Sequence, residues 1–85
     1  MKIIFGKHAK KDKFPMLAKH RFYLTEEDVI KVIKESEHED KETDKPNIIA
    51  SKSFDEKHIL RVVYKKEDDI IKIITFYPAE KGRYY

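Results

Sequence analysis

The chain has no cysteine, no tryptophan and no glutamine, and it has only two glycines and three prolines among 85 residues. Without cysteine it forms no disulfide, no thiolate nucleophile, no cysteine-ligated zinc site and no iron–sulfur cluster. No apolar run approaches the ~18 residues of a transmembrane helix. The first residues lack the apolar stretch and the small-residue cleavage site of a signal peptide. We therefore expect a cytoplasmic protein.

A chain of this length is expected to form a single domain over residues 1–85. Such a chain buries only about 60–65% of its unfolded surface, which leaves little room for an internal cofactor. We therefore expect neither a cofactor nor a metal. Sixteen of the nineteen basic residues are lysine. This bias is typical of proteins from hot environments, and an AT-rich genome produces the same bias.

Charge is unevenly distributed along the chain. Residues 1–24 carry seven Lys or Arg against one Asp, a net charge of +6, whereas residues 25–47 carry nine acidic residues against four Lys, a net charge of −5. Residues 48–85 carry +2, so the whole chain reaches only +3. This separation indicates two partners or two faces, and an ordinary solvated surface also accounts for it.

The first quarter of the chain predicts a short strand followed by helix. Lys2–Phe5 is typical of an edge strand, and residues 7–12 have a polar helical pattern. Pro15 cannot lie inside a helix without the loss of a hydrogen bond, but it suits a first turn. We expect either a kink there or a second helix over residues 15–21.

A clearer helix signal follows at Thr25. Its hydroxyl can accept a hydrogen bond from the amide of Asp28, and acidic residues fill the first turn, where the helix dipole favours them. The pattern predicts a helix that ends near Ser36. Residues 37–47 are polar and acidic, and they predict a loop.

The remaining chain predicts three strands over residues 48–54, 59–65 and 70–77, with Pro78 as the end of the last. Short connections require antiparallel pairing. We expect an α+β fold in which N-terminal helices pack on a small, mainly antiparallel sheet of three to four strands. One sheet face covers the helices, and the other forms the floor of a groove.

Arg61 lies inside an apolar strand, where an arginine is costly to bury without an anion or a carboxylate. Either it pairs with a structural acid, or it points into a groove that receives an anion. Strand alternation places it on the face of Ile59 and Val63. If a three-residue turn sets the register, Thr75 lies opposite Arg61, with Tyr77 and Ile73 as flanking residues. A register that slips by one residue places Phe76 and Ile74 there instead.

Two histidines are candidates for acid–base chemistry. His8 follows the first strand, next to a run of lysines, and an imidazole there suits a base near neutral pH. His20 and Arg21 precede two aromatic residues, and this group suits an RNA phosphate and a splayed base. The alternatives are an exposed helix residue for His8, and a helix end beside core aromatics for His20. His38 and His58 lack metal-ligand spacing.

The chain ends with Lys81, a glycine, Arg83, Tyr84 and a last tyrosine. Arginine can hold a phosphate through two hydrogen bonds, and tyrosine can stack on a base or donate a proton. A terminal flap that covers the sheet edge is the structural alternative.

The order of these motifs resembles small prokaryotic toxins related to RelE and BrnT, whose fold is similar to that of barnase-type ribonucleases. The motifs that carry the resemblance are Lys7-His8-Ala9, Leu24–Ile30, Leu60–Tyr64, Ile73–Pro78 and Arg83-Tyr84. The sequence departs from the pattern by a longer segment between His8 and Thr25.

The resemblance implies a metal-independent endoribonuclease, often acting on mRNA at the ribosome and held inactive by an antitoxin protein. The candidate catalytic residues are His8, His20, Arg61, Arg83 and Tyr84. The candidate RNA-binding residues are Lys7, Lys10, Lys11, Arg21, Tyr77 and Lys81. The expected reaction is attack of a ribose 2′-hydroxyl on the adjacent phosphate, with an imidazole as base and arginines that stabilise the phosphorane.

Two other functions remain open at this stage. A non-catalytic toxin of the same fold, similar to ParE, would act on a protein target such as a gyrase-like enzyme. An RNA- or ribosome-binding module would use the basic first segment without turnover.

Overall fold

The computed structural model describes residues 2–82 and forms an α+β fold with two α-helices and a five-stranded mixed sheet. The predicted α+β class is therefore confirmed. The strands are β1 (Lys2–Phe5), β2 (His38–Asp40), β3 (Ile48–Ser53), β4 (His58–Glu67) and β5 (Ile70–Glu80). The helices are α1 (Phe14–Lys19) and α2 (Glu26–Glu35), and a π-helical turn, Ala9–Lys13, precedes α1.

The strands lie in the order β1-β5-β4-β3-β2, with β1 parallel to β5 and all other neighbours antiparallel. β1 is an edge strand, as predicted. Gly6 follows it and donates its backbone amide to the Ile73 carbonyl at 2.8 Å. A Cβ at Gly6 would lie 2.9 Å from that carbonyl oxygen, so the close approach of the two backbones requires glycine.

The local signals place both helices. Thr25 Oγ1 accepts the Asp28 amide at 3.1 Å, and the Asp28 carboxylate accepts the Thr25 amide at 3.0 Å, which completes the capping box of α2. Pro15 lies in the first turn of α1, which continues directly from the π-helical turn. Among the described residues, neither helix is long and apolar enough to cross a membrane.

The helices pack on one face of the sheet, which we call the inner face. Leu17 of α1 and Val29 and Val32 of α2 belong to one buried cluster with Leu60 and Phe76 of the sheet. The ring of Phe14 lies 4.7 Å from that of Phe76. By strand alternation, the odd-numbered residues of β3 and of β4 up to Val63 point to the opposite, outer face.

The sheet differs from the prediction at three places. The acidic segment contains β2, because residues 38–40 pair with β3 although they have no apolar pattern. β5 runs through Pro78 to Glu80. This half of β5 has only β4 as a neighbour, because β1 pairs with residues 70–73, and a proline is tolerated on such an edge.

The third difference is the register of β4 and β5. The turn has only two residues, Asp68 and Asp69, because Glu67 pairs with Ile70. A bulge between Val63 and Tyr64 shifts the pairing by one further residue. Tyr77 therefore lies directly opposite Arg61, not beside it, and the prediction that placed Thr75 opposite Arg61 is wrong.

Candidate functional site

The pairing of β2, β3, β4 and β5 creates a row of polar side chains across these four strands. His38 of β2 pairs with Ser51 of β3, Ser51 pairs with Arg61 of β4, and Arg61 pairs with Tyr77 of β5. Residues directly opposite each other in antiparallel strands share a face. All four therefore lie on the outer face, and we call them the outer row.

Arg61 and Tyr77 form the centre of the outer row. The Arg61 Nε donates a hydrogen bond to the Tyr77 hydroxyl at 3.1 Å. The guanidinium carbon also lies 5.8 Å from the centre of the Tyr77 ring. Arg61 is only 6% exposed, and Tyr77 is half-buried. The phenol thus fixes the position of a largely desolvated cation, which attracts an anion more strongly than a solvated cation does.

Ser51 is the most unusual member of the row. Its side chain is fully buried, and its hydroxyl makes no hydrogen bond with any described residue. An unsatisfied buried hydroxyl costs about 1–3 kcal/mol. It lies directly across from Arg61. A guanidinium recognises phosphate oxygens, and of these two neighbours only Arg61 keeps some accessible surface.

An acidic residue lies at the β2 end of the outer face. The Asp40 carboxylate accepts hydrogen bonds from the Thr43 hydroxyl at 2.6 Å and from the backbone amides of Glu42 and Thr43. These bonds, the Thr43 hydroxyl first, lower the pKa of Asp40 to about 2, and the charge of Arg61 contributes in the same direction. Asp40 is therefore anionic at neutral pH. It adds a negative charge to the outer face beside the positive charge of Arg61.

The two early histidines lie in the helical layer, and the sheet separates them from the outer row. His8 precedes the π-helical turn, is exposed, and lies with Nδ1 3.2 Å from the Asp12 carboxylate. His20 is the exposed C-cap of α1. The structure does not bring either imidazole to Arg61, because the helices pack on the inner face while Arg61 points to the outer face.

The predicted RNA-binding residues also divide between the two sides. Lys7, Lys10, Lys11 and Arg21 are exposed in the helical layer, where Lys10 pairs with Glu26 at 3.9 Å. Tyr77 belongs to the outer row. Lys81 follows β5, and its amide donates to the Lys57 carbonyl at 2.9 Å. The predicted catalytic residues Arg83 and Tyr84 lie outside the described residues.

The two aromatics after His20 have different roles. Phe22 is half-buried and packs edge-on against His58, with ring centres 5.1 Å apart, and 6.4 Å from Phe54. Tyr23 is 74% exposed. His58 Nδ1 lies 3.0 Å from the Asp55 carboxylate, and hydrogen bonds from the Lys57 amide and from His58 lower the pKa of Asp55. Phe22 thus follows the core alternative, and Tyr23 is left accessible.

Sequence reasoning did not place two members of the outer row. His38 falls in a segment predicted as a loop, and Ser51 is a small residue in an otherwise ordinary strand. A period-two pattern in Ile49-Ala50-Ser51 would have put Ser51 on one face, but only the register shows which residue it meets.

No group of three or more His, Asp or Glu side chains within residues 2–82 is arranged to hold a metal ion. Comparisons with known protein families, with curated proteins and with solved structures found no match to this chain.

Proposed function

We propose that this protein is a toxin-like endoribonuclease whose phosphate site is the outer row. The observation that supports the proposal is the Arg61–Tyr77 pair on the outer face, in which the Arg61 Nε donates to the Tyr77 hydroxyl at 3.1 Å. The fully buried Ser51 hydroxyl, which has no hydrogen-bond partner in the described structure, lies directly across from Arg61 and two strands from Tyr77. A phosphodiester oxygen that reaches the Arg61 guanidinium would meet a cation that is already positioned. The resemblance to RelE- and BrnT-related toxins supplies the substrate class and implies a cognate antitoxin protein.

The proposed reaction needs no group other than protein side chains and RNA. A base removes the proton from a ribose 2′-hydroxyl, the 2′-oxygen bonds to the adjacent phosphorus, and the bond from phosphorus to the 5′-oxygen breaks. The products are a 2′,3′-cyclic phosphate and a 5′-hydroxyl, to which a proton is returned. Arg61 stabilises the charge on the phosphorane, and such electrostatic stabilisation is usually the largest single catalytic contribution.

The geometry favours His38 as the base over His8 and His20. His38 lies two strands from Arg61, about 10 Å between Cα atoms, and both side chains are on the outer face. This separation leaves room for one phosphate and its ribose between the two side chains. We expect His38→Gln to reduce cleavage about 100-fold or more, because general base catalysis contributes 10²–10⁴-fold. His8→Gln and His20→Gln serve as matched controls and should retain activity.

The test of the proposed function uses the purified chain with a labelled RNA and with translating ribosomes. We expect cleavage that persists in EDTA, products that end in a 2′,3′-cyclic phosphate, and at least about a 100-fold loss of rate in Arg61→Ala. Lys34→Ala, at an exposed helix residue outside the outer row and outside the predicted RNA-binding set, is the control for the loss of one positive charge. Circular dichroism establishes that each variant is folded. Intact RNA under every condition, or full activity of a folded Arg61→Ala protein, contradicts the proposal.

A second candidate function is RNA or ribosome binding without cleavage. The observation that favours it is the separation of both early imidazoles from Arg61 by the sheet. In that case the wild-type protein binds RNA in a salt-dependent manner, Arg61→Ala weakens binding, and no RNA is cut. Growth arrest without RNA loss would instead favour a toxin that acts on a protein target.

A further inference from the structure

Lys52 points to the wrong side of the sheet for a lysine. It pairs directly with Leu60, which is 1% exposed, so both side chains are on the inner face that α2 covers. Lysine is rarely directed toward a core unless its ammonium has a partner. Within residues 2–82, no carboxylate lies within 4 Å of the Lys52 ammonium.

Lys31 of α2, an exposed residue, also lines the hollow that Lys52 lines. The hollow has a volume of about 180 Å³ and lies between α2 and β3, with Val32 and Leu60 among its lining residues. Lys31 also has no ion pair in the described part of the chain. The nearest acid in the lining, Asp28, uses its carboxylate to accept the Thr25 amide at 3.0 Å.

An aromatic ring completes the hollow. Phe54 lines it, is 38% exposed, and is supported from behind by Phe22, with ring centres 6.4 Å apart. A cavity of about 150 Å³ holds a benzene ring, so this hollow accommodates one planar ring. A ring-sized hollow with an exposed phenyl wall, and with two ammonium groups that make no ion pair within residues 2–82, fits a nucleobase and its flanking phosphates.

We propose that this hollow binds one nucleotide of a single-stranded RNA, with the base stacked on Phe54 and the flanking phosphates at Lys31 and Lys52. The choice of RNA rests on the proposed function. The hollow is on the inner side of the sheet, and the outer row is on the opposite side. One RNA strand that passes around the β2 edge of the sheet would contact both, and the hollow would then select the base at a fixed distance from the cleaved bond.

The test measures binding of a fluorescent 2′-O-methylated RNA of about six nucleotides, a length within the usual site size for single strands. This RNA lacks the attacking hydroxyl, so binding is separated from cleavage. We expect Phe54→Leu to weaken binding about 5- to 100-fold, the range for the loss of one stacked base. Lys31→Ala and Lys52→Ala should each reduce the slope of log K against log salt by about 0.7.

Matched controls separate these effects from general charge loss. Lys34→Ala lies on the same helix outside the hollow, and Lys45→Ala removes a loop lysine that is paired with Glu42 at 2.8 Å. Both should leave the slope within experimental error. Unchanged affinity in a folded Phe54→Leu protein, or equal slopes for Lys31→Ala and Lys34→Ala, overturns the proposal.

The result also distinguishes the two proposals from each other. If the RNA binds at the hollow but is never cleaved in its unmodified form, the inference stands and the ribonuclease function fails. If RNA is cleaved and the hollow variants bind as the wild type does, the function stands and the inference fails.

Discussion

The two faces of the sheet are similarly buried but differ in what their buried residues are. On the inner face, Ala50, Leu60 and Phe76 pack against the helices and form an apolar cluster. On the outer face, the apolar residues Ile49, Ile59 and Val63 are buried together with two polar residues, Ser51 and Arg61. Burial of apolar groups stabilises the fold, whereas burial of a hydroxyl and a guanidinium opposes it unless they gain partners.

This difference shows that adjacent residues of the same strands lie in different surroundings, apolar on the inner face and partly polar on the outer face. In β3, Ala50 and Ser51 are both fully buried on opposite faces. In β5, the fully buried Phe76 and the half-buried Tyr77 lie on opposite faces. Substitutions of two such neighbours therefore compare the two faces within one strand and at adjacent positions.

The largest expected effect comes from the pair in β5. Phe76→Ala removes a fully buried ring that Phe14 contacts, and it should lower the free energy of unfolding by about 3–5 kcal/mol. Tyr77→Phe removes only the hydroxyl that accepts from Arg61, and it should cost about 1 kcal/mol while it reduces RNA cleavage. Urea denaturation measures both. Equal losses of stability from the two substitutions would contradict the assignment of Phe76 to the stabilising core and of Tyr77 to the outer row.

The pair in β3 is expected to give effects of opposite sign. Ala50→Ser places a hydroxyl in the apolar cluster and should destabilise the protein by about 1–3 kcal/mol. Ser51→Ala removes a buried hydroxyl that has no partner within residues 2–82 and should stabilise the protein by about 1 kcal/mol. Thermal and urea unfolding decide the sign. A destabilised Ser51→Ala protein would show that the hydroxyl has a structural role.

The smallest effect concerns Asp40 at the β2 end of the outer face. Its pKa is lowered from 3.8 to about 2, so the ionised form stabilises the fold above pH 4, and this contribution is lost as the pH falls toward 2. Thr43→Val should raise the pKa of Asp40 more than Arg61→Met does, because the Thr43 hydroxyl is the largest cause and Arg61 the smallest. NMR titration of the carboxyl carbon gives both values. A larger shift in Arg61→Met would mean that Asp40 and Arg61 are more closely coupled than their geometry indicates.

Local signals in the sequence predicted the helix α2 and the strand β1. Thr25 and Asp28 form a capping box by themselves, because both hydrogen bonds join residues three apart. The apolar run Ile3-Ile4-Phe5 forms most of β1, which lies at the edge of the sheet and pairs with β5. An edge strand of this kind is predictable from its own residues, because few other elements contribute to its position. By contrast, β2 has no apolar pattern, and it exists because β3 offers an edge for it to pair with.

The candidate site was predictable only in part. Arg61 was identified because an arginine inside an apolar strand needs an explanation, and strand alternation gave its face. Its partners were not identified, because the Val63/Tyr64 bulge and the two-residue turn together shift the pairing of β4 and β5 by two residues. The early histidines were grouped with Arg61 because the sequence does not show which face the helices cover.

By itself, the sequence determined the elements whose hydrogen bonds are local and the unusual residues that require a partner. The tertiary structure decided which residues become neighbours, because strand register and helix packing depend on the bulge, the turn and the sum of many weak apolar contacts. Ser51 is an ordinary serine in the sequence, and it becomes a buried donor beside a cation only when β3 and β4 pair.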